Sequence, residues 1–550
     1  MRLRSLAAVL VVSIAASAVL CAQTPICHTA SATAPAQGPA RLRDGVGHVH
    51  MAISTASAQA QVFFDQGLAL LHAFWFYEAD RSFAEAARLD PECAMAQWGI
   101  AMADLTEARR SAAIKRARQL RAHASPREQL YIDAFAEQER GTRTAVQNNP
   151  SLGSTESYRQ ALRRIVAAFP EDVHARLFLA LALMDGYRPD GTPGPGTIES
   201  VSLLRTVLTT SPDDPAAHHY LIHALEAGRP QDAVASADTY GSLVPGVGHA
   251  VHMPGHVYVH VDRWRDAAAA FERSAALDRA YMRDEHETSD HTSGPYAHNL
   301  NFLAAVYGYE GRYTDGMRIA AEMLSVAVQP GESGSRAALD GRVAALRLMV
   351  RFERWDEILE KAPDAGGFTV VEGWRHFALG LAHTGHGELA QARDELHRLK
   401  KSVEDLTDGL PNAAPQRPLQ LRQSIALAVA PLELEGRIAE REGRSEAAVA
   451  LLRRALDREK AIGYSEPPLY LHPMEEVLGQ VLLDLRRWSD AEAMFGAALV
   501  RDPGSGRALF GLAKAQEGAG HVEIARESYS RFRTAWAEAD RDLPQLGTGR

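Results

Sequence analysis

Apolar residues along the body of the chain recur with a helical period, and the same pattern returns again and again. From about residue 60 to about residue 535, small and large apolar residues come back at intervals of about 34 residues. A short motif that begins Arg-Trp occurs three times between predicted helices, at Arg263, Arg354 and Arg487. A period near 3.6 predicts amphipathic helices, and its repetition predicts helix pairs stacked in series, because no single pair buries its own apolar face.

The spacing within each unit resembles the tetratricopeptide repeat, or TPR. That repeat has small residues near positions 8, 20 and 27, a large residue near 24 and Pro near 32. Two segments fit it well: Gly67, Ala79, Phe83, Ala86 and Pro91, and Gly479, Ala491, Phe495, Ala498 and Pro503. The resemblance implies an all-α fold, a right-handed α-α superhelix (TPR solenoid) with inserted loops, whose concave groove is lined by the first helix of each repeat.

The N-terminus predicts export. Arg2 and Arg4 precede an apolar run from Leu6 to Leu20, and small residues follow at a cleavage point before Gln23. We therefore expect a periplasmic or secreted protein. Lipid anchoring through Cys21 is the weaker interpretation, because Leu20 is large for the residue that precedes a lipidated cysteine.

These patterns divide the chain into five parts. In order they are a signal peptide, a flexible segment, a TPR array with a histidine-rich groove, a C-terminal TPR array and a flexible tail: 1–22, 23–58, 59–327, 328–535 and 536–550.

Charge and composition exclude several classes of partner. The formal charge of −10 becomes −12 when Arg2 and Arg4 are removed, which argues against a nucleic-acid ligand. After the signal no apolar stretch is long enough to predict a transmembrane helix. Two cysteines, Cys27 and Cys93, remain in the mature chain, and whether they pair is left open.

A stripe of histidines marks one predicted first helix. His249, His252, His256 and His260 are spaced three, four and four residues apart, so they share one helical face. Pro254 interrupts the stripe. The helix either runs through it or begins at it, and the second choice leaves His249 and His252 in the preceding turn.

The neighbouring predicted repeats aim histidines at the same region. The first helix that follows Asp214 carries His219 and His223 as an i, i+4 pair beside His218, and the helix after the stripe carries His298 and Asn301. Histidine ligands from three helices suit zinc, copper or iron, with Glu226 or Asp290 as a carboxylate ligand or an outer partner. A polar groove for an acidic ligand and a purely structural role are the alternatives.

A narrower resemblance sorts these histidines. The segments Ala217 to His223 and His249 to Val257 resemble a motif, A-H-Y-x-I-H followed by H-A-x-H-M-P-x-H, of bacterial exported TPR proteins. The resemblance implies six metal ligands, and it leaves His218, Glu226, His260 and Asn301 as additional groove candidates. The six are His219, His223, His249, His252, His256 and His298.

Two functions follow from this sequence. The first is an exported metalloprotein whose groove binds a transition metal, with an open question whether it is a metal-dependent hydrolase or oxidoreductase. The second is a non-enzymatic scaffold whose groove binds a peptide, a protein or a small-molecule ligand.

Overall fold

The structure is a computed structural model that describes residues 39–103, 106–145, 156–188, 191–287, 289–326, 332–408, 417–463, 465 and 467–547. The predicted signal peptide, Cys21 and Cys27 lie outside these residues. Cys93 is buried, and burial raises the pKa of its thiol to about 11, which suits a packed side chain.

The predicted all-α superhelix is confirmed. Helices joined by short turns make up the described residues, and the β-structure found there is a single isolated bridge between Tyr187 and Pro193. In the first part of the chain the helices are α1 Ala58–His72, α2 Phe76–Leu89, α3 Ala94–Ala103, α4 Glu107–Gln119, α5 Pro126–Ala145, α6 Glu156–Ala168, α7 Val173–Leu183, α8 Pro195–Thr210, α9 Pro215–Leu225, α10 Val234–Leu243, α11 Gly248–His260, α12 Trp264–Asp284, α13 Asp290–Tyr309 and α14 Tyr313–Ser325.

The second part continues the same arrangement with α15 Glu332–Arg351, α16 Trp355–Lys361, α17 Thr369–Gly385, α18 Leu389–Asp408, α19 Arg417–Leu427, α20 Ala430–Arg441, α21 Ser445–Lys460, α22 Met474–Asp484, α23 Trp488–Arg501, α24 Gly506–Gly518, α25 Val522–Ala535 and α26 Pro544–Gly547. Short 3-10 helices cover Arg121–His123 and Pro230–Ala233. None of the helices described is long and apolar enough to cross a membrane.

Glycines let the two helices of a repeat approach each other. A Cβ on Gly255 of α11 would lie 2.5 Å from the ring of Phe271 on α12, and one on Gly479 of α22 would lie 2.8 Å from the ring of Phe495 on α23. Both contacts are closer than real Cβ atoms tolerate. The pairing of small position 8 with large position 24 is therefore the contact that packs each helix pair.

The turn between paired helices has one left-handed residue in repeat after repeat. Glycine fills this position at Gly311, Gly387, Gly443 and Gly520, where positive φ is free of steric cost. Four other residues adopt it despite their side chains: Phe74, Asp262, Glu353 and Arg486, with φ of 57, 63, 54 and 57°. An aromatic residue is the costliest of these choices.

The last repeats fold back onto the middle of the array. The indole of Trp536 donates to the Tyr309 carbonyl at 2.8 Å, and the backbone N–H of Asp540 donates to the Gly311 carbonyl at 3.0 Å. Trp536 and Leu543 are buried in this contact. Trp536 and Asp540, in the segment expected to be a flexible tail, 536–550, therefore contact the end of α13 and the turn that follows it.

The first described residues also pack on the array. Arg43 forms ion pairs with Glu78 on α2 and with Glu285, which follows α12, at 3.1 and 2.9 Å. Gly45 accepts a backbone hydrogen bond from Gly246 at 2.8 Å, directly before α11. The segment expected to be flexible, 23–58, thus contacts the repeats from residue 39 onward.

Candidate metal centre

Three successive first helices, α9, α11 and α13, carry the histidines. Asp214 caps α9, and its carboxylate accepts from the Ala217 N–H at 2.8 Å, so the helix begins where the repeat spacing predicts. Helix α11 begins at Gly248 and continues through Pro254. His249 and His252 are therefore helical, and the alternative start at Pro254 is not adopted.

The first cluster, triad A, consists of His219 and His223 from α9 and His249 from α11. Their ligand atoms lie within 4.8 Å of one another. The Nε2 atom of His219 lies 3.1 Å from Nε2 of His223 and 3.1 Å from Nε2 of His249. His219 and His223 are buried and His249 is partly exposed, so the cluster opens on the His249 side.

Hydrogen bonds on the far side of two rings fix their protons. Nδ1–H of His219 donates to the His72 carbonyl at 2.6 Å, and Nδ1–H of His223 donates to the Glu226 carboxylate at 3.3 Å. A neutral imidazole with a proton on Nδ1 has a lone pair on Nε2. Two lone pairs therefore face each other at 3.1 Å, an arrangement that a cation between them would stabilise.

A proton is disfavoured as the cation between these two nitrogens at physiological pH, because the pKa of His223 is strongly lowered. Burial, reinforced by the nearby His256, lowers the pKa of His223 to about 3. The His223 imidazole is therefore neutral at physiological pH in the metal-free protein, which is the form that binds metal ions.

The second cluster, triad B, consists of His252 and His256 from α11 and His298 from α13. Their ligand atoms also lie within 4.8 Å of one another, and the Nε2 atoms of His252 and His256 are 2.8 Å apart. Nδ1–H of His252 donates to the Asn299 side-chain oxygen at 2.9 Å, while the Asn299 amide donates to the Phe271 carbonyl at 3.1 Å. The second bond fixes which end of the amide faces His252, and His252 therefore points its Nε2 lone pair into the cluster.

One phenylalanine covers each triad. The Phe74 ring lies 4.5, 5.4 and 5.8 Å from the rings of His219, His223 and His249. The Phe302 ring of α13 covers triad B in the same way, between 4.6 and 5.3 Å from its three rings. Apolar walls of this kind exclude water and strengthen electrostatic interactions at the ligands.

The additional candidates have separate places. Nδ1 of His218 is hydrogen-bonded to the Ser236 hydroxyl at 3.0 Å, and its Nε2 is hydrogen-bonded to the Pro212 carbonyl at 2.7 Å. His218 therefore bonds to α10 and to the backbone before α9, and it is not a member of either triad. Glu226 lies behind His223 as an outer partner. His260 lies outside both triads and interacts electrostatically with Asp502. Asn301 is buried on α13, three residues after the triad B ligand His298.

Four contributors are missing from the sequence-based prediction. Asn299 orients His252 and the His72 carbonyl orients His219. Phe74 covers triad A and Phe302 covers triad B. Asn299 follows His298 directly, and Phe74 is an aromatic residue in a turn where other repeats have Gly, Asp, Glu or Arg. The unusual residue at Phe74 could have been noticed in the sequence, since an aromatic residue is energetically costly at a left-handed backbone position.

Each triad can do what a three-histidine site does. Three imidazole nitrogens leave a fourth coordination position open, and an ion held in this way polarises an oxygen ligand or activates bound water. The three imidazoles of either triad therefore fit a transition metal ion.

Comparison with solved structures gives distant similarities to other helical proteins. Yeast Tom70 is 11% identical, with 89% of this chain and 94% of that chain covered, at a TM-score of 0.31. The APC/C hetero-tetramer Cut9-Hcn1 is 13% identical over 83% and 76%, at 0.30, and a human IFIT1 dimer with m7Gppp-AAAA is 12% identical over 86% and 95%, at 0.31. A comparison with curated proteins gives no match. Residues 477–540, which include α23 and α24, match the tetratricopeptide repeat family.

Proposed function

We propose that this chain is an exported TPR protein that binds two transition metal ions, one at each triad. The observation that carries the proposal is the pair of Nε2 lone pairs of His219 and His223, which face each other at 3.1 Å with their protons held on Nδ1. Zinc, copper and iron all accept imidazole ligands. The open position on each ion suits a hydrolase or an oxidoreductase.

The burial of the ligands favours this function over a peptide scaffold at the same surface. Two histidines of each triad are buried, and Phe74 and Phe302 cover them. An extended peptide in the groove would reach His249 and His298, the partly exposed members, before it reached the others. The scaffold function therefore requires other parts of the concave surface.

Metal analysis of the purified full-length protein tests the proposal. We expect two ions per chain in the wild type, one after His219→Ala with His223→Ala, and one after His252→Ala with His256→Ala. His397→Ala, which changes an exposed histidine of α18, is the matched control and keeps two ions. A wild type that stays helical yet binds no zinc, copper or iron would overturn the proposal.

A further inference from the structure

The two triads are neighbours that share one helix. His249 of triad A and His252 of triad B lie three residues apart on α11, with ring centroids 6.3 Å apart and planes inclined by 23°. Both rings are directed into their clusters and lie side by side. The two metal positions are therefore adjacent, and not two unrelated sites on a long solenoid.

The spacing of the ions follows from the rings. A metal ion lies about 2 Å beyond a ligating imidazole nitrogen. Nε2 of His249 turns toward His219 on α9, whereas Nε2 of His252 turns toward His256 and the α13 residue His298. Because the two lone pairs point to different neighbouring helices, the ions lie at least as far apart as the two ring centroids, roughly 6 Å. Two-metal sites that share a single bridging oxygen have ions about 3.5–4 Å apart. A single oxygen atom is therefore too short to join these two ions.

The charge of the two metal ions and their open coordination positions define the kind of ligand that would bridge the ions. Two divalent ions on six neutral imidazoles carry four positive charges, and Glu226, which accepts from His223, offsets one. Each triad opens on the side of its partly exposed member, His249 or His298. A ligand that fills both open positions and lowers the charge is an anion with an oxygen donor at each end.

We infer that the two triads act as one site for a small dicarboxylate, each carboxylate binding one ion. The inference rests on the proposed metal binding and adds a ligand class to it. Binding of the first carboxylate places the second near the other ion, so the second contact is intramolecular and gains from a high effective concentration. A monocarboxylate has no such gain.

Calorimetry on zinc-loaded full-length protein tests the inference after the zinc content has been measured. The probes are acetate, malonate, succinate and fumarate, and fumarate is the sharpest because its two carboxylates are held too far apart to chelate one ion. We expect at least one dicarboxylate to bind at one molecule per two zinc ions, at least tenfold more tightly than acetate. In the His252→Ala, His256→Ala protein, which keeps triad A, that advantage falls at least tenfold while acetate affinity changes less than twofold.

The reciprocal protein, His219→Ala with His223→Ala, serves as the matched comparison and loses the same advantage. His397→Ala keeps it. A wild type with two zinc ions whose dicarboxylate affinities are unchanged in both single-triad proteins overturns the shared site and leaves metal binding intact. A wild type that binds no zinc overturns the proposed function as well, so the two failures are distinguishable.

Discussion

Phe74 offers the sharpest test of the energetics at triad A, because its strained backbone destabilises the fold while its buried ring stabilises it. Its backbone is left-handed, with φ of 57°, and its side chain is 4% exposed against the rings of triad A. Truncating a buried Phe costs about 3–5 kcal/mol. Relief of a left-handed backbone by glycine returns about 1–2 kcal/mol. We therefore expect Phe74→Gly to destabilise the α1–α2 pair by about 2 kcal/mol.

Arg486 supplies a control with the same backbone and a different side chain. It occupies the equivalent turn between α22 and α23 with the same φ of 57°, and its side chain is exposed. Arg486→Gly removes the steric cost of the left-handed backbone and loses little buried surface. It should stabilise its own helix pair by about 1 kcal/mol.

Hydrogen exchange measured by mass spectrometry on the metal-free protein compares the two variants. A local readout is needed because long repeat arrays unfold in parts. A loss of 2 kcal/mol in local stability speeds exchange about 30-fold in peptides of α1 and α2. If Phe74→Gly instead slows exchange, as Arg486→Gly should do at its own turn, the ring contributes less than the strain and the reasoning is refuted.

Three further outcomes are expected. Asn299→Leu should weaken metal binding at triad B about 10- to 100-fold, as measured by chelator competition, whereas Asn301→Leu on the same helix should not. The pKa of His223 is about 3 in the folded state and about 6.5 in the unfolded state, so the folded protein binds this proton less readily. The free energy of unfolding therefore falls as the pH drops below 6.5, and His223 accounts for a loss of about 2 kcal/mol at pH 5. Hydrogen exchange should show a loss of stability at pH 5 that is smaller by about 2 kcal/mol in His223→Gln, where the lowered pKa values of His72 and His174 leave the remaining pH dependence. Gly479→Ala should lower the melting temperature by placing a Cβ against Phe495, with a cost of about 1–3 kcal/mol.

Periodicity was enough to predict the helices that carry the site. The sequence predicts a first helix after Asp214, and α9 begins directly after it at Pro215. The sequence also predicts one first helix that carries the histidine stripe, and α11 contains all four of these histidines. The i, i+4 spacing also predicted that His219 and His223 share a face. Such patterns specify faces because side-chain direction along a helix depends only on local geometry.

Distances between helices could not be predicted in the same way. The division of six histidines into two triads depends on how closely α9, α11 and α13 approach, which is decided by contacts such as Gly255 with Phe271. The orienting role of Asn299 depends on a carbonyl of α12, and the fold-back of Trp536 depends on the curvature summed over many repeats. These are tertiary properties that no local pattern contains.

Repeat stacking also explains why there are two triads and not one. Triad A takes an i, i+4 pair from α9 and a single ligand from α11, and triad B takes an i, i+4 pair from α11 and a single ligand from α13. The second site is thus the first one moved along by one repeat. The single ligand of triad B comes later in the sequence than strict repetition would place it, for two reasons. Helix α12 has 21 residues where α10 has 10. His298 also lies farther into α13, which begins at Asp290, than His249 lies into α11, which begins at Gly248. Since α11 contributes histidines to both triads, any shift of α11 moves ligand atoms of both triads together, and the geometries of the two triads are coupled through one helix.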